Sequence, residues 1–297
     1  MSKRLMLSIL TLLLLTVQVV HAEGDDSTAL DWKKALTVDL TTTQTSYSDS
    51  WVGGEAGSFN WVANVNGNAR RQLSPLVAYS TILKLSFGQT YTQDAETKQW
   101  KSPQKSTDLI DWDNVARFTL NGFVDPYAAF RLESQFFDAS VPRKKRYFSP
   151  LKLTESAGLA RKFYEKKDDY ITSRLGFGLR EIIRNTIVGD TALLQTEDST
   201  EVDGGIESVT DVILTLSDKL HYTGKLTMYK ALFFSESDTA PNDDWKSVDI
   251  NWENQITANL SKIIAVSFYT QLLYDKQIRR RIRLKETMAL GFTFKLF

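Results

Sequence analysis

Few residues in this sequence could do covalent or acid–base chemistry. The chain holds two histidines and no cysteine. His21 lies in an N-terminal segment that we expect to be removed, which leaves His221 for general acid–base catalysis. His221 follows a tight turn beside Lys219 and Tyr222, and we interpret it as a structural residue. Because nucleophile-elbow, zinc-hydrolase, phosphate-loop and calcium-loop motifs are also lacking, we predict no catalytic residue, no metal site and no cofactor.

Charged clusters in the expected loops suit binding better than catalysis. Acidic residues cluster at 197–203 and 243–244, where they could hold calcium or a cation that bridges lipopolysaccharide. Basic runs occur at 143–146 and 279–281, where they could contact lipopolysaccharide phosphates. Ordinary solvated loop charge explains both kinds of cluster as well, and the sequence leaves these alternatives open.

The composition and the N-terminal segment indicate export. Lys and Arg total 36, as do Asp and Glu, so the chain offers no basic field and we expect no nucleic-acid partner. Residues 1–22 carry a basic start, an apolar run and the small-residue end Val20-His21-Ala22, the pattern of a signal peptide. We therefore predict a signal peptide over 1–22 and one mature domain over 23–297, without disulfides.

Period-two alternation dominates the mature chain and predicts strands with one apolar and one polar face. In residues 248–260, Ile250 and Trp252 fall on one face, while Asp249 and Glu253 fall on the other. The same pattern recurs along the chain. It predicts strands over 34–48, 56–70, 76–93, 108–122, 125–140, 150–165, 169–186, 206–218, 219–234, 246–260, 262–276 and 284–297.

The lengths of strands and loops indicate a transmembrane barrel. Most segments exceed the roughly 9–11 residues that a tilted membrane-spanning strand needs. Short turns at one rim and long loops at the other are typical of outer-membrane barrels. We therefore predict an all-β fold, a single antiparallel up-and-down transmembrane β-barrel of about 12 strands in the bacterial outer membrane. The predicted long loops are 49–55, 94–107, 141–149, 187–205, 235–245 and 277–283.

A motif at the first predicted loop resembles that of a known envelope family. The string Q-T-S-Y-S-D-S-W-V-G-G-E at 44–55 is similar to the W-x-G-G block of the Gram-negative family called domain of unknown function 3078. The resemblance implies an outer-membrane β-barrel and assigns no activity. Glycines permit positive φ after the first strand, so we interpret the block as a turn rather than a ligand site. The motif residues are Trp51, Gly53, Gly54 and Glu55.

The C-terminal strand suggests how the chain is inserted. Residues 290–297 alternate and end in Phe297, which resembles the terminal aromatic signal read by the barrel-assembly machinery, although Phe297 is out of phase with the apolar positions before it. We expect that machinery as a partner during insertion. Outer-membrane lipid and lipopolysaccharide would then surround the barrel, and the sequence leaves its oligomeric state open.

The polar faces of the strands predict a lumen with charges of both signs. Paired charges can fill a bore, whereas rings of one sign would select ions. We therefore predict a passive barrel, either a narrow channel for small polar solutes or a structural envelope protein. A loop-based binding or adhesion protein is the alternative if 187–205 is ordered outside the barrel, and a lipid hydrolase is a further one. The predicted pore-lining residues are Lys84, Arg117, Arg131, Glu133, Arg174, Arg180, Asp249 and Glu253, with Asp39, Arg70, Asp113 and Lys225 on the same polar faces.

Overall fold

The residues that the structure describes fold almost entirely into β-strands, with one short 3-10 helix among them, η1 (Asp244–Lys246). The structure is a computed structural model that describes residues 32–47, 56–120, 122–141, 144–188 and 195–295. The expected signal peptide lies outside these residues. The strands are β1 (Lys33–Thr45), β2 (Ser58–Ser74), β3 (Val77–Thr92), β4 (Gln104–Phe118), β5 (Asp125–Ser134), β6 (Phe137–Asp138), β7 (Arg146–Tyr147), β8 (Leu151–Lys166), β9 (Asp169–Val188), β10 (Gln195–Thr215), β11 (Leu220–Phe234), β12 (Val248–Asn259), β13 (Ile264–Asp275) and β14 (Arg279–Lys295).

Twelve of these strands close into one antiparallel barrel. Each strand pairs with the strand next to it in sequence, except that β5 pairs with β8 across the small β6–β7 hairpin. The last strand, β14, pairs with β1, where Thr293 lies opposite Asp39. Closure leaves the barrel sheet without an unpaired edge. The predicted all-β, single up-and-down barrel of about twelve strands is confirmed.

The barrel has an apolar outer surface and a charged interior. On β9, Leu175 and Phe177 are 58% and 49% exposed, whereas Arg174 and Arg180 on the opposite face are 5% and 7% exposed. Successive side chains of a strand point to opposite faces, so the apolar residues point outward and the charged ones inward. This is the alternation predicted from the sequence. A soluble protein buries its apolar face instead, so the outer surface suits contact with lipid.

The largest departure from the predicted strands is in β10. This strand begins at Gln195, which lies opposite Val188 of β9, so the predicted loop 187–205 is wrong over most of its length. Residues 195–200 are all exposed, and strands that are wet on both faces carry no apolar alternation. A register shift between Gly204 and Gly205 also interrupts the period in this region.

Other strand boundaries shift for local reasons. The predicted strand 125–140 ends at Ser134, because the Asp108 carboxylate accepts hydrogen bonds from the backbone N–H groups of Phe136 and Phe137 at 2.6 and 3.1 Å. These bonds draw the chain out of the barrel ladder. The strands β4 and β14 begin earlier than predicted, at Gln104 and Arg279, inside segments predicted as loops.

Candidate functional site

Ion pairs cross the interior of the barrel. Lys84 Nζ lies 3.1 Å from Glu253 Oε2. Lys84 belongs to β3 and Glu253 to β12, and these strands are not neighbours in the barrel, so the pair spans the bore. The contact also identifies the inward face of both strands, since side chains alternate along a strand.

A central group of charges surrounds Asp113 of β4. Its Oδ2 atom lies 2.5 Å from Arg174 Nη2 of β9 and 2.7 Å from Lys225 Nζ of β11. These three side chains are 4–6% exposed. Asp211 of β10 lies 4.0 Å from Lys225 Nζ, which balances the two cations with two carboxylates. One aspartate therefore ties together strands that do not pair with each other.

A second group lies nearer the long-loop rim, on β4, β5 and β8. The Arg131 guanidinium binds both carboxylate oxygens of Asp111, at 2.8 and 2.9 Å, and lies 3.3 Å from Glu133. Lys152 Nζ lies 2.8 Å from Glu133. Bidentate pairing of this kind is both strong and directional, so it fixes the Arg131 side chain along the inner wall.

A third group is built around Arg180 of β9. Its guanidinium binds both oxygens of Asp203 at 2.8 and 3.0 Å and reaches Asp249 of β12 at 2.9 Å. The Tyr229 hydroxyl donates to Asp203 at 2.6 Å, and the guanidinium carbon lies 3.6 Å from the centre of the Tyr229 ring. The group therefore joins β9, β10, β11 and β12 through side chains alone.

The three groups share one electrostatic property, which is that their charges are paired within the barrel. Removing an ion from water costs several kcal/mol, and close partners are needed to offset that cost. Rings of one sign would select ions, whereas these groups alternate in sign. Their arrangement can brace the wall and exclude water. The first two groups are neutral as a whole, whereas Arg180 with Asp203 and Asp249 leaves one negative charge uncompensated.

Most of the predicted pore-lining residues meet in these groups or across the bore. Arg117 stands apart near the short-turn rim, where its Nη1 atom lies 3.6 Å from Asp125 of the adjacent strand β5. Asp111 and Asp203 are partners that alternation did not single out. Asp111 shares the face of Asp113, a signal that the sequence does contain, whereas Asp203 lies in a segment predicted as a loop.

The wall formed by β1, β2 and β3 differs from the part of the barrel that carries the three charged groups, which we call the braced side. Asn64 of β2 lies directly opposite Ser86 of β3 and Asp39 of β1. Ser86 is two residues from Lys84 on the same face, so these side chains point inward. The Ser86 hydroxyl lies 2.6 Å from Asn64 Oδ1. Both residues are half-buried, in contrast to the buried charges on the other side.

The remaining candidate residues are placed as follows. His221 lies on β11 opposite Thr215 of β10 and Thr257 of β12. Within the described ranges, no three His, Cys, Asp or Glu side chains are grouped so as to hold a metal ion. The family-motif residues Trp51, Gly53, Gly54 and Glu55, together with Arg143 and Phe297, lie outside the described residues.

The charged clusters at the long-loop rim bind one another. Asp244 of η1 lies 2.9 Å from Arg280 Nε and 3.0 Å from Lys276 Nζ. Arg146 of β7 pairs with Asp138 of β6 and donates to the backbone oxygen of Asn185 at 3.0 Å. These contacts use acidic and basic groups that the sequence offers as candidate cation or phosphate ligands.

The contact between Asp244 and its two cations should be lost in acid. Burial alone would raise the pKa of Asp244, but hydrogen bonds from Lys276 and Arg280 outweigh it and lower that pKa. A lowered pKa means that the stabilisation is complete above the ordinary value of about 3.9 and disappears as pH falls through the lowered value. Hydrogen exchange of residues 276–280, corrected for intrinsic rates, should therefore quicken only at pH well below 4.

Two variants give this expectation its control. Asp244→Asn should quicken exchange of residues 276–280 already at neutral pH, because the amide no longer binds two cations. Asp243→Asn should leave that segment unchanged, since Asp243 pairs with Lys246 of the same loop at 2.9 Å. Equal exchange in both variants would contradict a role for Asp244 in holding the start of β14.

The solved structures to which this chain is similar include outer-membrane proteins. An outer membrane channel from Pseudomonas putida F1 is 12% identical, with a TM-score of 0.41, covering 92% of this chain and 99% of that one. The translocator domain of the autotransporter NalP from Neisseria meningitidis is 10% identical, with a TM-score of 0.38, covering 98% and 95%. The porin NanC is 9% identical, with a TM-score of 0.35, covering 88% and 100%. Likeness at this level says nothing about a solute or an activity.

Sequence comparison adds a family for part of the chain. No curated protein matches the sequence significantly. No helix in the described residues is long and apolar enough to cross a membrane. The family described as "Protein of unknown function (DUF3078)" matches residues 42–139, a stretch that contains the W-x-G-G block and the strands β2, β3, β4 and β5. The match confirms the family resemblance of this part of the chain.

Proposed function

We propose that this protein is a bacterial outer-membrane β-barrel that acts as a passive, narrow channel for small polar solutes. The outer surface supports the location, because large apolar side chains such as Leu175 and Trp252 are 58% and 47% exposed. Closure supports it as well, since every backbone group within a bilayer must find a partner in the protein. Even the shortest barrel strand, β5, has 10 residues, within the roughly 9–11 needed to span.

One observation carries the channel proposal: the interior is filled unevenly. Gln271 of β13 lies opposite Glu253 and Lys285, so Lys285 of β14 faces inward, as does Thr287 two residues later. Both are exposed. The inward residues Arg174 and Lys225 of the braced side are each 5% exposed. An inward side chain is exposed only where it borders open space, so passage is supported along the β14 side of the barrel.

Conductance of the purified, detergent-solubilised protein in a planar bilayer tests this function. We expect small, steady channels with weak ion selectivity, because the braced side mixes charges of both signs rather than forming a ring of one sign. The double variant Lys84→Met with Glu253→Gln should conduct more, since it removes the pair that spans the bore. Lys101→Met is the control, because Lys101 pairs with Asp94 in an exposed loop at 3.2 Å and should leave conductance unchanged.

The outcomes separate the channel from its rivals. No conductance by either the native protein or the double variant would contradict the channel and favour a structural envelope barrel, provided that both migrate as heat-modifiable folded barrels. Fractionation with the cytosol or periplasm, without any need for detergent, would contradict the membrane location itself. Outer-membrane lipid, lipopolysaccharide and the barrel-assembly machinery are the partners that this location implies.

We also propose that the protein is not an enzyme. A hydrolase of this architecture would use histidine as a general base with a second group to orient it. His221 faces Thr215 and Thr257 on the neighbouring strands, and neither hydroxyl is a base that could activate it. A passive barrel accounts for the buried charges without any reaction.

A second candidate function is favoured by the β9–β10 hairpin. The pairing of β8 with β9 ends where Leu151 meets Ile183, and the pairing of β10 with β11 ends at Asp203. Residues 184–188 and 195–200 therefore form a two-stranded ribbon beyond both neighbours. The sequence predicts a loop-based binding protein as the alternative if residues 187–205 are ordered outside the barrel. Residues 195–200 of the ribbon meet that condition, because they form a strand there. Deleting the ribbon should abolish binding to cells or surfaces in that case, and leave conductance intact.

A further inference from the structure

The interior presents two walls of different chemistry. The wall built from β4, β5 and β8–β12 carries the three charged groups. The wall built from β1, β2 and β3 carries mainly amides and hydroxyls on its inward face. Because Asn64 is inward, the residues at even spacing on β2 and those opposite them are inward too. The same rule places the apolar Val62 and Ile82 on this face. We call six of its uncharged polar residues the amide wall: Thr37, Asn60, Asn64, Asn66, Ser86 and Thr90.

Some side-chain N–H groups of the amide wall have no hydrogen-bond partner among the described residues. Asn60 Oδ1 accepts from the Thr90 hydroxyl at 2.9 Å and from Ser106 at 3.4 Å, and Asn64 Oδ1 is paired with the Ser86 hydroxyl. Within the described residues, the amide nitrogens of Asn60 and Asn64 make no hydrogen bond of their own. A side-chain amide offers two N–H donors, so these donors remain available to a solute that comes within reach.

The charges next to the amide wall differ in sign. Asp39 accepts a hydrogen bond from the Asn66 amide at 3.5 Å, and Lys84 is paired with Glu253 at 3.1 Å. Lys285 faces inward from β14, with its Nζ atom 6.0 Å from the centre of the Tyr269 ring. The wall therefore has no ring of charges of one sign. Such a ring would be needed to offset the free-energy cost of dehydrating an ion in a narrow passage.

Uncharged polyols suit this wall better than ions do. A hydroxyl group that leaves water can exchange its water hydrogen bonds for bonds to amides and hydroxyls, so transfer has little net cost. An ion in the same place gives up hydration that neutral groups replace only in part. The physical difference is greatest where the passage is narrow, because there the solute must touch the wall.

We propose that the amide wall is the path of small uncharged polyhydroxylated solutes, such as monosaccharides, through this barrel. The inference rests on the channel proposed above and assigns its solute class. Asn64 and Ser86 lie at the middle of the wall and contact the passing hydroxyls. The braced side acts as the opposite, rigid boundary of the passage.

Swelling of liposomes that contain the purified protein tests the solute class. Glucose, gluconate and glucosamine are matched in size and differ in charge. We expect glucose to enter at least about fivefold faster than either charged analogue, the factor that one unreplaced hydrogen bond produces. Faster entry of gluconate would overturn the inference and assign the selectivity to Lys285 instead.

A matched pair of variants tests the path. Asn64→Val with Ser86→Ala removes two hydrogen-bonded partners together and adds no atoms to either side chain. We expect it to lower glucose entry by at least about fivefold. Thr154→Val is the control, because Thr154 is inward but only 4% exposed on the braced side, and glucose entry should not change. Unchanged glucose entry in the double variant would overturn the inference.

The failures of the two proposals can be told apart. Ion conductance with equal entry of all three sugars would overturn the solute class and leave the channel standing. Absence of both ion conductance and sugar entry, from liposomes shown to hold folded barrels, would overturn the channel and the inference together. Heat-modifiable migration of each variant on a gel establishes that it is folded before its transport is compared.

Discussion

Asp113→Asn lowers the free energy of unfolding by about 3–5 kcal/mol, the cost of leaving buried charge without its partner. Arg174 and Lys225 share this carboxylate, at 2.5 and 2.7 Å, so one substitution removes the anion from two cations. Both cations are on strands that do not pair with β4, which means that the barrel loses a tie across its interior. Denaturant titration of the protein in detergent micelles, followed by heat-modifiable migration, measures the loss.

An ion pair at the rim provides the control for Asp113. Asp168 lies 3.1 Å from Arg70, but its side chain is 85% exposed, so Asp168→Asn should cost no more than about 1 kcal/mol. Adding Lys225→Met to Asp113→Asn should restore part of the lost free energy of unfolding, because it removes one of the two buried cations left without the Asp113 carboxylate. Equal losses for Asp113→Asn and Asp168→Asn would show that the interior charges are solvated rather than braced.

The sequence predicts the fold because alternation is a local property. Twelve strands were expected and twelve close the barrel, since each strand shows its own apolar face to the lipid and its own polar face to the bore. The inward position of residues such as Lys84 and Glu253 follows from the same period. Knowing that two charges are inward does not say that they meet.

Partnerships across the bore depend on closure and register, which no local pattern encodes. Asp113 and Lys225 are 112 residues apart in the chain, and they meet only because five steps around the barrel place β4 nearly opposite β11. The sequence therefore predicts a lumen of mixed charge but not its three groups. The division into a braced side and an amide wall has the same origin, because it is set by which strands face each other.

The first half of β10, which alternation did not predict as a strand, shows where local patterns fail even for local structure. Alternation identifies a strand only where its two faces meet different surroundings. Residues 195–200 are exposed on both faces, and the glycines at 204 and 205 shift the register. Polar residues such as Glu197 and Asp198 then look like loop charge, although they pair with β9.

Gly176→Ala should prevent most of the protein from closing its barrel. Gly176 of β9 lies directly opposite Gly158 of β8, and the two chains approach closely there. A Cβ atom on Gly176 would lie 2.2 Å from the backbone oxygen of Ala157 and 2.7 Å from the Tyr127 hydroxyl. Overpacking a core with side chains costs about 1–3 kcal/mol, and a contact with backbone costs more because the strand itself must move. The folded fraction after refolding into detergent, read from heat-modifiable migration, measures the effect.

Gly178→Ala is the matched control, because Gly178 is on the same strand and the same inward face. A Cβ atom there would meet Tyr229 at 3.4 Å and nothing closer, so the folded fraction should be nearly native. Adding Tyr127→Phe to Gly176→Ala should not restore folding, since the nearer obstacle is the Ala157 backbone rather than the hydroxyl. Recovery in that double variant would mean that β8 and β9 can separate, and that the Tyr127 side chain alone makes the glycine necessary.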